Sequence, residues 1–342
     1  MRLAILTFWG VLACTLALRA QDTFSIVAVD PVTGEVGSAG ATCVEGIGGF
    51  GGVILLSGII PGRGGVNAQA YICINPHINL ENAIARLEEG NTPQGVIDWL
   101  VANDACFSQN FDPDYRQYGV AVLNAAGEPE TAAFTGQNAD DWKGHLLGET
   151  YAIQGNILLG PEVLDGMEAG FNNTQGSLAD RLMAAMQGAK IPGADARCLE
   201  AGTSSTSAFL RVFKPDDAPD APYLELNVAE APSGVEPIDS LQALFDAWQL
   251  TNTRGAALEE AGHFRVFPNP ARTAVQVVVA QQTGSGALSL EWYNASGQMV
   301  GKQEVRGGRN TVSQPEGAGL YWLCLRDTNG HILQQEKIIV LN

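Results

Sequence analysis

The segment Asp22-Thr23-Phe24-Ser25-Ile26-Val27-Ala28-Val29-Asp30 places a threonine just beyond an expected signal-peptidase site. A threonine hydroxyl alone is a weak nucleophile. A threonine that is also the first residue carries its own general base, because its α-amine titrates at roughly 7.7–8. The chemistry would be acyl transfer: the amine takes the hydroxyl proton, Oγ1 attacks an amide carbonyl, and water clears the ester. An ordinary strand threonine is the alternative, so the question is what precedes Thr23 in the mature chain.

Residues 1–20 have the pattern of a secretory signal. Arg2 supplies the positive start, Leu3 to Leu18 is an uncharged apolar run, and Leu18-Arg19-Ala20 offers a cleavage site after Ala20. Cleavage there leaves Gln21-Asp22 ahead of Thr23, and an amine inside a peptide bond is no base. A second reading takes Val11-Leu12-Ala13-Cys14 as a lipoprotein box, with Cys14 lipidated. No other run is long enough to span a membrane.

The chain of 342 residues has a net charge of −18, which argues against a nucleic-acid partner, since phosphate binding needs clustered Lys and Arg. Hydrophobic residues make up 46 %, enough for packed cores. Gly46-Ile47-Gly48-Gly49-Phe50-Gly51 matches G-x-G-x-x-G, but Val53 to Ile60 reads as a strand, not the helix a pyrophosphate site needs. His77, His145, His263 and His331 are scattered, and no cysteine–histidine spacing suggests zinc. No metal or organic cofactor is expected. Cys43, Cys73, Cys106 and Cys198 precede residue 200 in an exported chain, so two disulfides are expected, with three connectivities open. Cys73–Cys106 is favoured because both flank a two-helix unit, and Cys43–Cys198 follows by elimination.

The elements that must position Thr23 begin with a hairpin, Thr23 to Val29 and Glu35 to Thr42, joined by Asp30-Pro31-Val32-Thr33-Gly34 turn chemistry. Val66 to Ile74 reads as a strand. Helices follow from Asn79 to the stop at Gly90, and from Thr92-Pro93. Strands come next at Tyr118 to Leu123, Thr131 to Phe134 and Tyr151 to Ile157. Two amphipathic helices follow, the second capped by Ser177 with Asp180 three residues on. Strands at Ala208 to Phe213 and Tyr223 to Val228, then a helix from Pro237 to Leu250, complete this part. The order is hairpins, helix pair, hairpins, helix pair, strands. This fits an α+β fold with antiparallel sheets and segregated helix pairs. Residues 251–263 read as a linker, and from Phe264 short strands with glycine turns suggest a small β-sandwich.

Several blocks carry a resemblance over residues 23 to about 250. They are Thr23-Phe24-Ser25-Ile26-Val27-Ala28, Asp30-Pro31 with Thr33-Gly34-Glu35, Pro61-Gly62, and Gly65-Val66-Asn67-Ala68-Gln69-Ala70. Tyr118-Gly119-Val120, Ala133-Phe134-Thr135-Gly136, Gly144-His145, Tyr151, Gln154-Gly155-Asn156-Ile157-Leu158, Gly160, and Gly193, Asp195 and Arg197 continue the series. In this order they resemble a family of N-terminal-nucleophile (Ntn) hydrolase-like proteins, the domain of unknown function ten-twenty-eight. Its members start Met-Thr-Phe-Ser-Ile-Val-Ala, so removal of Met exposes the Thr. The resemblance implies a four-layer αββα Ntn-hydrolase-like sandwich and, by superfamily analogy, amide-bond hydrolysis. Asp-Thr is also the cleavage pair of self-processing members of the wider superfamily, which gives Asp22-Thr23 a route to a free Thr23. The chain departs from the family after Arg197, where Cys198-Leu199-Glu200-Ala201-Gly202-Thr203-Ser204-Ser205 replaces Gly-x-Gln-Ser-Ala.

A second resemblance covers the C-terminal part. Val266-Phe267-Pro268-Asn269-Pro270, Tyr293-Asn294-Ala295-Ser296-Gly297-Gln298-Met299-Val300, Gly317-Ala318-Gly319-Leu320-Tyr321-Trp322-Leu323 and Lys337-Ile338-Ile339-Val340 resemble the sorting domain of type IX secretion. The expected organisation is therefore 1–20 signal peptide, 21–250 Ntn-hydrolase-like domain, 251–263 linker and 264–342 sorting domain.

The reading is a secreted or cell-surface amidohydrolase that passes through the periplasm. Its expected partners are the type IX machinery and a small amide or peptide substrate, with a homo-oligomer left open. Thr23 is the nucleophile, Asn67, Gln69 and Asn156 are candidate oxyanion donors, and Asp195 and Arg197 are candidate contacts for a charged end of the substrate. The alternative is a non-catalytic binding protein on the same scaffold, for cell-wall peptides for example, with Thr23 still capped. Deleting residues 264–342 is expected to strand the protein in the periplasm. Immunoblots of medium and periplasm check this, and normal appearance of the truncated chain in the medium would defeat the sorting assignment.

Overall fold

The computed structural model describes residues 23–257, 264–271, 274–279, 288–294, 296–327 and 330–341. The expected signal peptide, with Cys14, the Ala20 cleavage site and Asp22, lies outside the described residues, as does the end of the expected linker. The chain divides into two compact units between Phe245 and Asp246.

The first unit holds two antiparallel sheets. The six-stranded sheet contains β1 (Thr23–Val29), β2 (Val36–Thr42), β7 (Gly144–Leu147), β8 (Tyr151–Asn156), β9 (Ser207–Phe213) and β10 (Leu224–Val228), in the order β10-β9-β2-β1-β8-β7. The four-stranded sheet contains β3 (Ser57–Ile60), β4 (Gly64–Gln69), β5 (Gln117–Leu123) and β6 (Pro129–Thr135) in sequence order. Helices α1 (Ile78–Glu88) and α2 (Pro93–Ala102) pack on the four-stranded sheet. Helices α3 (Glu162–Asn173) and α4 (Leu178–Gly188) pack on the six-stranded one, and the two sheets meet through β1, β4, β5 and β8. With both faces covered, every residue of β1 is buried.

The local chemistry explains the ends of these elements. Thr92 Oγ1 accepts from the Gly95 amide, with Pro93 in the first turn. Ser177 and Asp180 form a reciprocal capping box at α4. On α1, Leu80, Ala83 and Leu87 are buried against Val66, Ala68, Tyr118 and Val120. Helices α3 and α4 touch backbone to backbone: a Cβ on Gly188 would lie 1.9 Å from the Gly166 carbonyl oxygen.

Three readings are corrected. Val53–Leu56 is a turn of 3-10 helix, and only Ser57–Ile60 is strand. Gly52 at φ 95° turns the chain, and Val53 and Leu56 bury together against Phe209. The strand expected over Val66 to Ile74 ends at Gln69, because Ala70 and Tyr71 take positive φ. The last helix, α5 (Pro237–Ala257), continues past Leu250 into the stretch expected as a linker, where no proline stops it.

Cys73 and Cys106 lie at disulfide distance, as do Cys43 and Cys198; these are the pairs favoured from the sequence. A closed loop of this kind contributes about 2–5 kcal/mol, chiefly by restricting the unfolded chain.

The second unit contains two antiparallel sheets. One has the order β11-β12-β15, built from β11 (Phe264–Phe267), β12 (Ala274–Val279) and β15 (Gly308–Ser313). The other has the order β14-β13-β16-β17, built from β13 (Leu288–Asn294), β14 (Met299–Val305), β16 (Gly319–Arg326) and β17 (Ile332–Val340). Val275, Val277, Leu290, Trp292, Leu323 and Ile338 share one core.

His77 sits at the start of α1, its Nε2 donating to the Ala68 carbonyl at 3.0 Å. Burial pushes its pKa down to about 4, outweighing that hydrogen bond. The folded state therefore resists protonation that the unfolded chain accepts near 6.5. The associated stability is complete above that pH and is lost as pH falls toward 4, by roughly 3 kcal/mol. Urea midpoints for wild type and His77→Gln should diverge in that window, with a flatter profile for the variant. Parallel profiles would refute the assignment.

Candidate functional site

The two-residue period of β1 sends Thr23, Ser25, Val27 and Val29 toward the four-stranded sheet. Val27 and Val29 meet Ala121 and Ala152 there in an apolar half. The other half is polar and just as buried, since Ser25, Gln69, Gln117, Gln154 and Asn156 are at most 1 % exposed. Ser25 Oγ donates to Gln69 Oε1 at 2.6 Å, and Gln154 Nε2 donates to Ser25 Oγ at 2.6 Å. Gln69 Nε2 donates to the Thr23 carbonyl at 2.9 Å and to Gln117 Oε1 at 2.7 Å. Gln117 Nε2 reaches the Gly155 and Gly144 carbonyls at 2.8 and 3.0 Å and Thr135 Oγ1 at 3.0 Å. Each strand of the inner pair is thus tied to the opposite sheet by side chains.

At the end of this network lies Thr23. Its Oγ1 donates to Thr42 Oγ1 at 3.4 Å, and Asn156 stands opposite it in the β1–β8 register. Thr23, Thr42 and Gln69 help to line a small, partly open cavity, and the rest of its wall is Val44, Ile47, Val53, Leu55, Leu56, Ala70 and Ile72.

The backbone beside Thr23 is strained. Ala70, Tyr71 and Ile157 adopt φ of 63°, 51° and 50°, and Ile157 is β-branched. Such conformations cost roughly 1–3 kcal/mol each and persist where surrounding contacts impose them. The contacts are present. Arg116 Nη1 donates to the Tyr71 carbonyl at 2.6 Å, and Tyr71 OH donates to Asp140 Oδ2 at 2.6 Å. The Ile157 amide donates to the Asp140 carbonyl, and the Ile157 carbonyl accepts from the Ala196 amide. Arg116 is itself 1 % exposed and pairs with buried Asp104 at 2.7 Å, while its Nη2 donates to the Cys106 carbonyl.

The candidates from the sequence separate as follows. Thr23, Gln69 and Asn156 come together. Both amide hydrogens of Gln69 are committed, so this residue positions Thr23 rather than offering a free oxyanion donor. Asn67 lies roughly 7 Å back along β4 from Gln69. Its Oδ1 accepts from Ser38 Oγ at 2.8 Å, and Ser38 pairs with Val27, so Asn67 serves the inner part of the interface and not Thr23. Asp195 is fully buried. Its carboxylate accepts from the Cys43 amide at 2.7 Å, from the Arg197 amide at 3.2 Å and from Arg197 Nη2 at 2.8 Å. That leaves Asp195 a structural part, holding the loop beside Thr42, with the partly exposed Arg197 at its edge.

Thr42, Ser25, Gln117 and Gln154 were not foreseen. The available signal was a polar residue at alternate positions of strands otherwise apolar on both faces. The glycine-rich loop, set aside above as a pyrophosphate site, supplies Ile47 to the cavity wall. Asn227 Nδ2 donates to the Gly51 carbonyl, and Glu230 Oε1 accepts from the Gly46 amide, so β10 and the chain after it hold that loop. Among the described residues no cluster of three or more metal-ligating side chains occurs.

The model of the family of unknown function DUF1028 matches residues 23–239, and that of the secretion system C-terminal sorting domain matches residues 265–341. The latter indicates engagement with the type IX machinery and secretion to the cell surface or beyond. Among solved structures, the crystal structure of the DUF1028 protein SPO2555 from Silicibacter pomeroyi is similar at 27 % identity and a TM-score of 0.50, covering 66 % of this chain and 88 % of that one. Dimeric latent PorU from Porphyromonas gingivalis matches at 16 % identity and a TM-score of 0.19, over 40 % of this chain and 12 % of that one, too weak to bear on the fold. No curated protein matches the chain.

The network has one tight contact that a substitution can probe. A Cβ on Gly119 would stand 1.8 Å from Gln154 Oε1. Gly119→Ala should push Gln154 off Ser25 and cost about 1–3 kcal/mol in denaturant unfolding. In a Gln154→Ala background the same change should cost far less. Equal costs in the two backgrounds would show that the Gln154 contact is not the cause.

Proposed function

The chain belongs to the family of unknown function DUF1028, and from that membership and the placement of Thr23 we propose a secreted N-terminal-nucleophile amidohydrolase. The observation that carries this reading is the position of Thr23. It opens the central strand, buried, with its carbonyl held by Gln69 and its hydroxyl beside Thr42, at a cavity within the fold. The packing order of helix pair, sheet, sheet and helix pair supports a four-layer αββα sandwich of the Ntn type. The two sheets of the second unit support a β-sandwich for the sorting domain, with the boundaries 21–250 and 264–342 as proposed limits.

In the proposed reaction Asp22-Thr23 is first cleaved, which frees the α-amine of Thr23. That amine takes the Oγ1 proton, and Oγ1 attacks the amide carbonyl. The tetrahedral oxyanion is stabilised by polar hydrogens at the site, with Asn156 the nearest side-chain candidate in register. Collapse expels the amine with the proton, and water then hydrolyses the threonyl ester. Arg197, set by Asp195, is proposed to meet a charged far end of the substrate. The rival reading, a binding protein with Thr23 capped, draws on Gln21-Asp22 standing ahead of Thr23 after the expected cleavage.

N-terminal sequencing and intact mass of the secreted protein separate the two. The enzyme reading expects Thr23 first, and the binding reading expects Gln21 or pyroglutamate. Thr23→Ala should retain Gln21-Asp22 and lose all amidase activity, while Thr23→Ser keeps part of it. Full activity in Thr23→Ala, or an active wild type with Gln21 still attached, would overturn the proposal.

A further inference from the structure

The cavity beside Thr23 carries more information than the nucleophile alone. None of its lining residues is charged. Seven of them, Val44, Ile47, Val53, Leu55, Leu56, Ala70 and Ile72, are apolar, and they come from three separate places in the chain. The polar members are already occupied with one another: Thr23 Oγ1 with Thr42, and Gln69 with Thr23, Ser25 and Gln117. A charged group placed here would lose its hydration and find no counter-ion in the wall, a cost of several kcal/mol. An apolar group would gain about 0.8 kcal/mol per methylene, or about fourfold in affinity.

We propose that this cavity is an acyl-group subsite, and that the amides this protein cleaves carry a small, uncharged aliphatic group on the acyl side. The proposal rests on the reading of Thr23 as nucleophile and names the substrate class of that site. The acyl side is chosen because the acyl group remains bonded to Thr23 Oγ1 through the ester stage, and Thr23 is itself part of the cavity wall. Ile47 is the specificity-determining residue with the most room to vary. It sits on a loop whose Gly46, Gly51 and Gly52 take positive φ and which Asn227 and Glu230 hold by single hydrogen bonds. The group could be the acyl chain of a fatty amide or the apolar side chain of a peptide, and the two are separated by the probes below.

The test uses the secreted full-length protein and a set of 4-nitroanilides: acetyl, butyryl, hexanoyl, phenylacetyl, leucyl with its α-amine acetylated, and glutaryl. The expected result is a rise in kcat/KM of about fourfold per added methylene until the cavity is filled, with glutaryl at least tenfold below hexanoyl. Preference for hexanoyl over leucyl assigns a fatty amide, and the reverse assigns a peptide; either supports the subsite. Val53→Trp should fill the cavity and erase the advantage of hexanoyl over acetyl, and Ile47→Ala should extend it to longer chains. Binding of N-methylhexanamide and N-methylglutaramate to Thr23→Ala that also lacks Gln21-Asp22 is measured by calorimetry, which needs no turnover. Binding of the first and not the second, weakened by Val53→Trp, supports the subsite even if the wild type hydrolyses nothing, in which case the enzyme reading alone falls. Equal binding of both, binding of neither, or hydrolysis that favours glutaryl, would overturn the subsite while leaving Thr23 to be judged by its own variants.

Discussion

The fold depends on the requirement that polar groups buried between two sheets be hydrogen-bonded. A side-chain amide shut away from water without partners costs on the order of 1–3 kcal/mol. Here Gln69, Gln117 and Gln154 are buried together with Ser25. Their bonds cross between the sheets, so any sliding of one sheet over the other would break several at once. An apolar interface such as the one formed by Val27, Val29, Ala121 and Ala152 resists separation but tolerates small shifts, since contact area changes little with them. The polar half fixes register where the apolar half supplies cohesion. Thr23 lies at the end of the polar half, where positional precision is greatest.

A similar logic holds the backbone beyond the strands. Ala70, Tyr71 and Ile157 would relax to negative φ if free to do so. Tyr71 is held by Arg116, whose guanidinium is satisfied by Asp104 and by the Tyr71, Cys106 and Ser108 carbonyls, and Ile157 is held by the Asp140 carbonyl and the Ala196 amide. A buried ion pair is weak evidence of net stability, because desolvation offsets much of the attraction. What this pair does provide is direction: a planar donor fork pins several carbonyls at once. The Cys73–Cys106 link closes the same region covalently, and Cys43–Cys198 does so next to Thr42. Both lie outside the strands and α-helices, where hydrogen-bonded ladders are absent and another restraint is needed.

How much of this the sequence revealed follows from what each signal depends on. Alternation and capping are local, so the β1–β2 hairpin, the α4 capping box and both helix pairs were legible. Thr23 could be proposed as a nucleophile because a threonine near a processing site has a chemical meaning of its own. The part Gln69 plays was not, because its partners lie on β1 and β5, and the same residue in the same strand would be an oxyanion donor had Gln117 been absent. Asn67 was hard to place for a related reason: it shares a face with Gln69, yet the step of two residues along β4 moves it to the level of Ser38. Asp195 shows the limit again, since a conspicuous acid before Arg197 turns out to hold the Cys43 amide. The Val53–Leu56 turn was misread as strand because apolar runs of that length do not distinguish a strand from a buried helical turn.

The apolar cavity also bears on whether Thr23 can be its own base. An α-amine beside apolar walls pays desolvation only in its charged form, so such surroundings favour its neutral form. A buried carboxylate near it would have the opposite effect and keep the amine protonated. None of the residues lining the cavity is acidic, and the nearest buried acid tied to the site, Asp195, is turned toward Arg197 and the Cys43 amide. In the proposed reaction such surroundings favour the neutral amine, which is the form that can accept the hydroxyl proton. It becomes charged only as Oγ1 attacks, when the developing oxyanion lies close enough to stabilise it. In the proposed reaction the apolar wall that receives the acyl group is also the one that favours the neutral base, so substrate choice and catalysis would be coupled through one feature of the fold.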